Sequence, residues 1–269
     1  MTTFRIPAFR LRSGLLHTKR LTSFARASYL LSLICVTLGA ALAPDRPELA
    51  LLVAATLCGW SEVDGLCGTS HVGTLTPLRF LSPNRSLWLK SVSAYTIGGL
   101  VTASCVGVAV GGLGGLLQLS RPSVLQAALL FISALALVLA ARELRVIRFA
   151  LPQVRRQTHK VWAAEHGMVT GSTMWGAHIG LGFATVIQHG GFFVVVALAL
   201  VYGSATAALL MTAYWIGRTL PLWFASSLPM GECTAPVLSH ALLDNRAAYR
   251  HSAAVGLLLF AVIAVRLVV

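Results

Sequence analysis

Seven apolar runs, each near the roughly 20 residues a helix needs to cross a bilayer, leave this chain little choice of fold. They fall at about 27–43, 49–73, 91–118, 123–141, 168–189, 191–217 and 251–268. With 57% hydrophobic and 11% charged residues, the apolar surface exceeds what one soluble core could hide. The expected fold is all-α, a polytopic helical membrane protein with about seven transmembrane helices.

Basic residues orient such a chain, because Lys and Arg are retained on the cytoplasmic side. Of the 21 Lys and Arg, 18 lie in alternate segments: the arm 1–26, then 78–90, 142–160 and 218–250. Only Arg46, Arg121 and Arg266 lie opposite. This division predicts a cytoplasmic N-terminus and an external C-terminus. It also accounts for the net charge of +13 as topology. No aromatic-plus-basic recognition motif accompanies that charge, so nucleic acid is excluded as a partner. The lipid bilayer is the expected surroundings.

The least apolar of these runs contains the stretch 57–77, LCGWSEVDGLCGTSHVGTLTP. It carries Cys58, Glu62, Asp64, Cys67 and His71. Polar, glycine-broken backbone at membrane depth is tolerated only where protein or a water-filled cavity surrounds it. Ionisable residues there mark a functional site by default. The orientation places Glu62 and Asp64 around mid-membrane. A short helix running into a loop is the plain alternative.

An internal repeat gives this stretch a counterpart. SAYTIG at 93–98 recurs as TAYWIG at 212–217, and SHVG at 70–73 has a weaker echo in QHGG at 188–191. Setting aside the first run, three spans lie on each side of a basic linker. An odd number per half makes the halves inverted in the membrane, the 3+3 pattern in which paired broken segments meet at a functional interface. The expected layout is a basic arm at 1–26 and one transmembrane domain at 27–269. Within it lie an extra N-terminal helix 27–43, half one 49–148, a linker 149–167 and half two 168–268. The counterpart segment 167–191 carries His178, Gln188 and His189 among its glycines. These histidines fit either a hydrogen-bonded core role or an ion path.

Soluble-type catalysis finds no support. The five cysteines (Cys35, Cys58, Cys67, Cys105 and Cys233) form neither a disulfide framework nor a zinc pattern. No His-x3-His or Cys-x2-Cys occurs, and GGLGG at 111–115 ends an apolar run, where it serves packing. The residues imply no metal and no cofactor.

The two three-span halves, the AYxIG elements and GLGF at 180–183 resemble the cytochrome c biogenesis CcdA/DsbD transmembrane family. GWSEVDG at 59–65 followed by CGTSHVGTLTP at 67–77 is similar to the MauF family of methylamine utilization proteins. The first resemblance implies a bacterial inner-membrane, multi-pass thiol–disulfide carrier. Its relay needs one cysteine in the first span of each half. Cys67 could fill the first position, but residues 167–217 contain no cysteine. Cys58 and Cys67, nine residues apart, could pair only if Gly59 or Gly65 breaks the helix. The second resemblance implies maturation, export or stabilisation of a periplasmic disulfide-containing enzyme. The expected partner is the small subunit of methylamine dehydrogenase or another maturation protein.

Three functions follow. One is an accessory protein using Cys67, Cys58 and His71 in thiol chemistry. Another is an ion- or metal-coupled permease with Glu62, Asp64, His178, Gln188 and His189 along its path. The last is an assembly factor with no chemistry of its own.

Overall fold

The computed structural model describes residues 14–81, 85–152, 158, 159, 161–227, 238 and 242–268. Its helices are α1 (Gly14–Leu42), α2 (Pro47–Ser61), α3 (Leu66–Leu75), α4 (Leu78–Leu81), α5 (Ser86–Leu116), α6 (Pro122–Glu143), α7 (Trp162–His166), α8 (Met168–Gly180), α9 (Gly191–Val201), α10 (Ser204–Ala225) and α11 (Arg246–Arg266). No strand occurs among the described residues. Among the described residues four helices are long and apolar enough to cross a membrane: Ser23–Leu42 within α1, α5, α6 and α11. The pair Pro47–Asp64 and Cys67–Phe80, bent by 79°, is apolar enough to make a fifth when counted as one broken span.

These helices do not confirm the expected count of seven, and the fifth and sixth runs are the ones that take another form. Residues 168–189 do not form one span. Gly180 stands against Gly99 and Thr102, halfway along α5. Ten residues later Gly190 lies against Leu139, one turn from the end of α6. The segment enters and turns back. The sixth run breaks at Tyr202 and Gly203, leaving α9 with 11 residues and α10 with 22. Helix α10 continues past the expected boundary at 217, so Arg218 lies within it, and Pro221 is accommodated inside it.

The internal repeat is visible as a set of reciprocal backbone contacts. A Cβ added at Gly59 of α2 would lie 1.9 Å from the carbonyl oxygen of Tyr214, and one at Gly217 of α10 would lie 1.9 Å from that of Thr56. At a second crossing between the halves, a Cβ at Gly176 of α8 would lie 2.0 Å from the Tyr95 carbonyl oxygen, and one at Gly98 of α5 would lie 2.4 Å from that of Thr173. The AYxIG element thus supplies a carbonyl and a glycine in each half. It grips a Thr-x-x-Gly element of the opposite half: AYWIG at 213–217 holds TLCG at 56–59, and AYTIG at 94–98 holds TMWG at 173–176. Small residues of this kind let helix backbones approach where no hydrophobic force drives association within lipid.

At the crossing of α5 and α10, the Trp215 indole N–H donates to the Thr96 carbonyl at 2.9 Å. These are equivalent positions of the two AYxIG elements. Helix α1 packs outside both halves, against α2 and α11. The Trp60 indole N–H donates to Ser28 Oγ at 2.9 Å, and Ser32 Oγ donates to Ser252 Oγ at 3.0 Å.

Gly59→Ala and Gly217→Ala are each expected to force α2 and α10 apart, at a cost of about 1–3 kcal/mol of overpacking. Gly115→Ala meets nothing within 4 Å and is expected to leave stability unchanged or raise it. Thermal unfolding of the three variants in detergent separates these outcomes.

Candidate functional site

Helix α2 ends at Ser61, whose hydroxyl turns back to the Cys58 carbonyl at 2.6 Å. A 3₁₀ turn over Glu62–Asp64 follows, and extended backbone at Gly65 starts α3 in a new direction. The break leaves Glu62 and Asp64 buried at its corner. Opposite them, residues 188–190 precede α9, where a helix leaves backbone N–H groups without helical partners.

Carboxylates fill that need. Glu62 accepts the Gln188 N–H through Oε2 and the His189 N–H through Oε1, both at 3.0 Å. Glu143, the last residue of α6, accepts the Gly190 N–H through Oε1 at 3.1 Å. Two negative side chains at the positive end of α9 are also favoured by the helix dipole. The His189 ring ties the corner together. Its Nδ1 lies 2.8 Å from Glu143 Oε2, and its Nε2 lies 2.9 Å from Asp64 Oδ1. Each contact needs a proton between nitrogen and oxygen. An imidazolium between two carboxylates satisfies both. A neutral ring satisfies both only if one carboxyl carries the proton.

Around this core, Arg142 Nη1 pairs with Glu143 Oε1 at 2.5 Å. Arg250 Nη2 donates to the Glu143 carbonyl at 2.6 Å. A cavity of about 610 Å³ opens beside them, lined by Arg142, Glu143, Arg145, Arg148, Gln188, His189 and Arg250 together with Ile147 and Phe149. The buried cluster therefore borders an open, arginine-rich space. Asp64 and Glu62 are consequently not midway along the bundle, as the sequence suggested. They lie level with the basic end, because the chain bends after α2 and the partner segment returns to α6.

His71 stands apart from this cluster. Its Nδ1 lies 2.5 Å from the Cys67 carbonyl. Since a carbonyl only accepts, Nδ1 carries the proton. The ring packs between Tyr95 and Trp175 at 5.3 and 5.2 Å between centroids. The imidazole thus engages the backbone of Cys67, not its thiol. Cys58 and Cys67 are both buried and both free. The helix break that could have let them pair is present, yet they face different neighbours. Cys58 is enclosed by Gly191 and Gly256, whereas Cys67 lies within electrostatic reach of Tyr95 and Arg218. His178 packs its ring against Trp162 at 5.7 Å, away from the carboxylates. Cys233 lies outside the described residues. Among the described residues no group of three or more His, Cys, Asp and Glu has an arrangement that could hold a metal ion.

Three curated proteins, each named methylamine utilization protein MauF, match this chain. The relative from Methylorubrum extorquens is 30% identical over 216 residues, which is 73% of this chain and 71% of that protein. The chain belongs to the MauF family. The relative from Paracoccus versutus is 28% identical over 207 residues, 76% of this chain and 75% of that protein. The one from Methylophilus methylotrophus is 27% identical over 173 residues, 63% of this chain and 58% of that protein. No family model and no solved structure matches.

Of the residues the sequence singled out in this MauF-family chain, the structure brings together Glu62, Asp64, His189 and the Gln188 backbone; Glu143, Arg142 and Arg250, which join them, were not singled out. The signal was scarcity. The chain has eight acidic residues, and Glu143 is one of them, closing an apolar run between arginines.

His189→Ala removes the partner of two buried carboxylates at once and is expected to cost about 3–5 kcal/mol. Glu62→Gln keeps one acceptor and turns an amide N–H₂ toward the other backbone N–H, for a smaller loss of about 1–3 kcal/mol. Chemical unfolding in detergent micelles checks this ranking; equal stability of His189→Ala and the wild type would rule out the bridge as a structural element.

Proposed function

We propose that this chain is a multi-pass inner-membrane accessory protein of methylamine utilization, with its N-terminus cytoplasmic and its C-terminus periplasmic. It acts in the maturation, export or stabilisation of a periplasmic disulfide-containing enzyme, with the small subunit of methylamine dehydrogenase as its partner. The observation that carries this reading is the match to MauF proteins over about three quarters of the chain. The paired halves, residues 49–148 and 168–268, support descent from the CcdA/DsbD architecture. Free Cys58 and Cys67 in separate surroundings, with no cysteine at 167–217, favour a scaffold over a relay.

A second reading rests on one feature of the site. A histidine held between two carboxylates at the edge of an open cavity suits proton or ion coupling. In that reading Asp64, Glu143 and His189 carry the coupled charge.

Deletion of the gene in a methylamine-grown host, followed by complementation, tests both. The Cys58→Ser/Cys67→Ser variant is expected to restore growth on methylamine and normal levels of disulfide-bonded dehydrogenase small subunit. Loss of that subunit's disulfides in the double variant would return the thiol relay to first place. Normal enzyme levels with failed methylamine uptake in a Glu143→Gln strain would favour the permease.

A further inference from the structure

The cavity at the basic end has a positive charge that its own carboxylates do not cancel. Four arginines line it, Arg142, Arg145, Arg148 and Arg250. Arg142 is committed to Glu143, and its Nε donates to the Phe149 carbonyl at 3.1 Å, which folds residues 147–149 into a wall. Glu143 is itself occupied by His189, the Gly190 N–H and Arg142. Arg250 donates to the Glu143 backbone carbonyl, and among the described residues no carboxylate forms an ion pair with it. Among the described residues no carboxylate pairs with Arg145 or Arg148, and both are exposed.

Two further observations bear on the occupant. Arg145 sits at φ 63°, the left-handed conformation that closes a helix and that glycine adopts best. The turn is ordinary in form: the Arg145 N–H donates to the Arg142 carbonyl at 3.0 Å and the Val146 N–H to the Ala141 carbonyl at 2.9 Å. Turn geometry alone calls for no arginine there, so its side chain has the better claim to a purpose. The same segment also exposes apolar side chains beside the guanidinium groups: Leu144, Val146, Ile147 and Phe149, with Val146 75% exposed. A soluble anion has no use for these. A phospholipid has, since its acyl chains lie along apolar side chains while its headgroup meets the cations.

We propose that the cavity between the end of α6 and the start of α11 binds the headgroup of an acidic phospholipid through Arg145, Arg148 and Arg250. The phosphate takes the place that no carboxylate fills, and the acyl chains run down Leu144, Val146 and Ile147. Basic pockets between membrane helices commonly serve such headgroups. The site lies beside Glu143, so a bound lipid also rests against the cluster that caps α9. This proposal is independent of the partner enzyme and of thiol chemistry.

The test uses the full chain in nanodiscs of phosphatidylcholine with graded phosphatidylglycerol or cardiolipin, with retained lipid read by native mass spectrometry and unfolding temperature by fluorescence. Acidic lipid is expected to be retained and to raise the unfolding temperature. Arg145→Gly and Arg148→Gln are expected to weaken retention by about fivefold each. Arg145→Gly is the informative variant, because glycine eases the left-handed turn while removing the guanidinium. It should leave the lipid-free protein as stable as the wild type, or more so, while losing the response to acidic lipid. Arg121→Gln, at the opposite end, should retain lipid as the wild type does. Equal retention of phosphatidylcholine would overturn the proposal. So would an unchanged lipid response in the Arg145→Gly/Arg148→Gln double variant. Stabilisation by inorganic phosphate without acidic lipid would overturn the lipid as occupant.

Discussion

Backbone N–H groups that leave a helix inside a membrane must find acceptors, because lipid offers none. Residues 188–190 present three such groups in a row, and the protein meets them with the carboxylates of Glu62 and Glu143. That solution brings negative charge into the interior, which then needs a counter-charge. His189 and Arg142 supply it. One constraint on peptide groups thus fixes the corner of α2, the end of α6 and the start of α9 against one another. Buried ion pairs add little net stability in general. Here they choose one arrangement among segments more than 40 residues apart.

The second organising element is the repeated grip between Thr-x-x-Gly and Ala-Tyr-x-Ile-Gly. Each long helix uses its copy on a broken segment of the opposite half, so α10 meets α2 while α5 meets α8. The pairing is crossed: a segment of one half is held by the long helix of the other. The halves cannot separate without opening both grips. The Trp215–Thr96 hydrogen bond lies between the two copies and joins them at equivalent positions.

The all-helical class and the broken second run were legible in the sequence, because hydropathy and glycine content report on them directly. AYxIG was legible as a repeat, but its partner was not. TLCG and TMWG share only two residues, and what they have in common is backbone approach, which sequence identity reflects poorly. The weaker echo of SHVG and QHGG pointed elsewhere: His71 joins aromatic rings, whereas His189 joins carboxylates. The fifth run misled for a related reason. A re-entrant segment and a crossing helix have the same composition, and only the return of Gly190 to Leu139 tells them apart. Glu143 escaped notice because an acid flanked by Arg142 and Arg145 reads as part of a solvated basic loop.

The shortness of α9 has an electrical consequence. Eleven residues of helix span about 16 Å, against a hydrocarbon thickness of about 30 Å. The helix starts at the carboxylate cluster and ends near Gly114, toward the far end of α5. The arginine-lined space on the near side reaches His189. Helix α9 by itself thus covers about half the hydrocarbon thickness of a bilayer. A transmembrane voltage dropped over half the distance makes a field about twice as strong, worth about 2.3 kcal/mol per charge per 100 mV across the whole layer. A charge resting at His189 sits just before that helix, where it would sense the near-side potential almost in full.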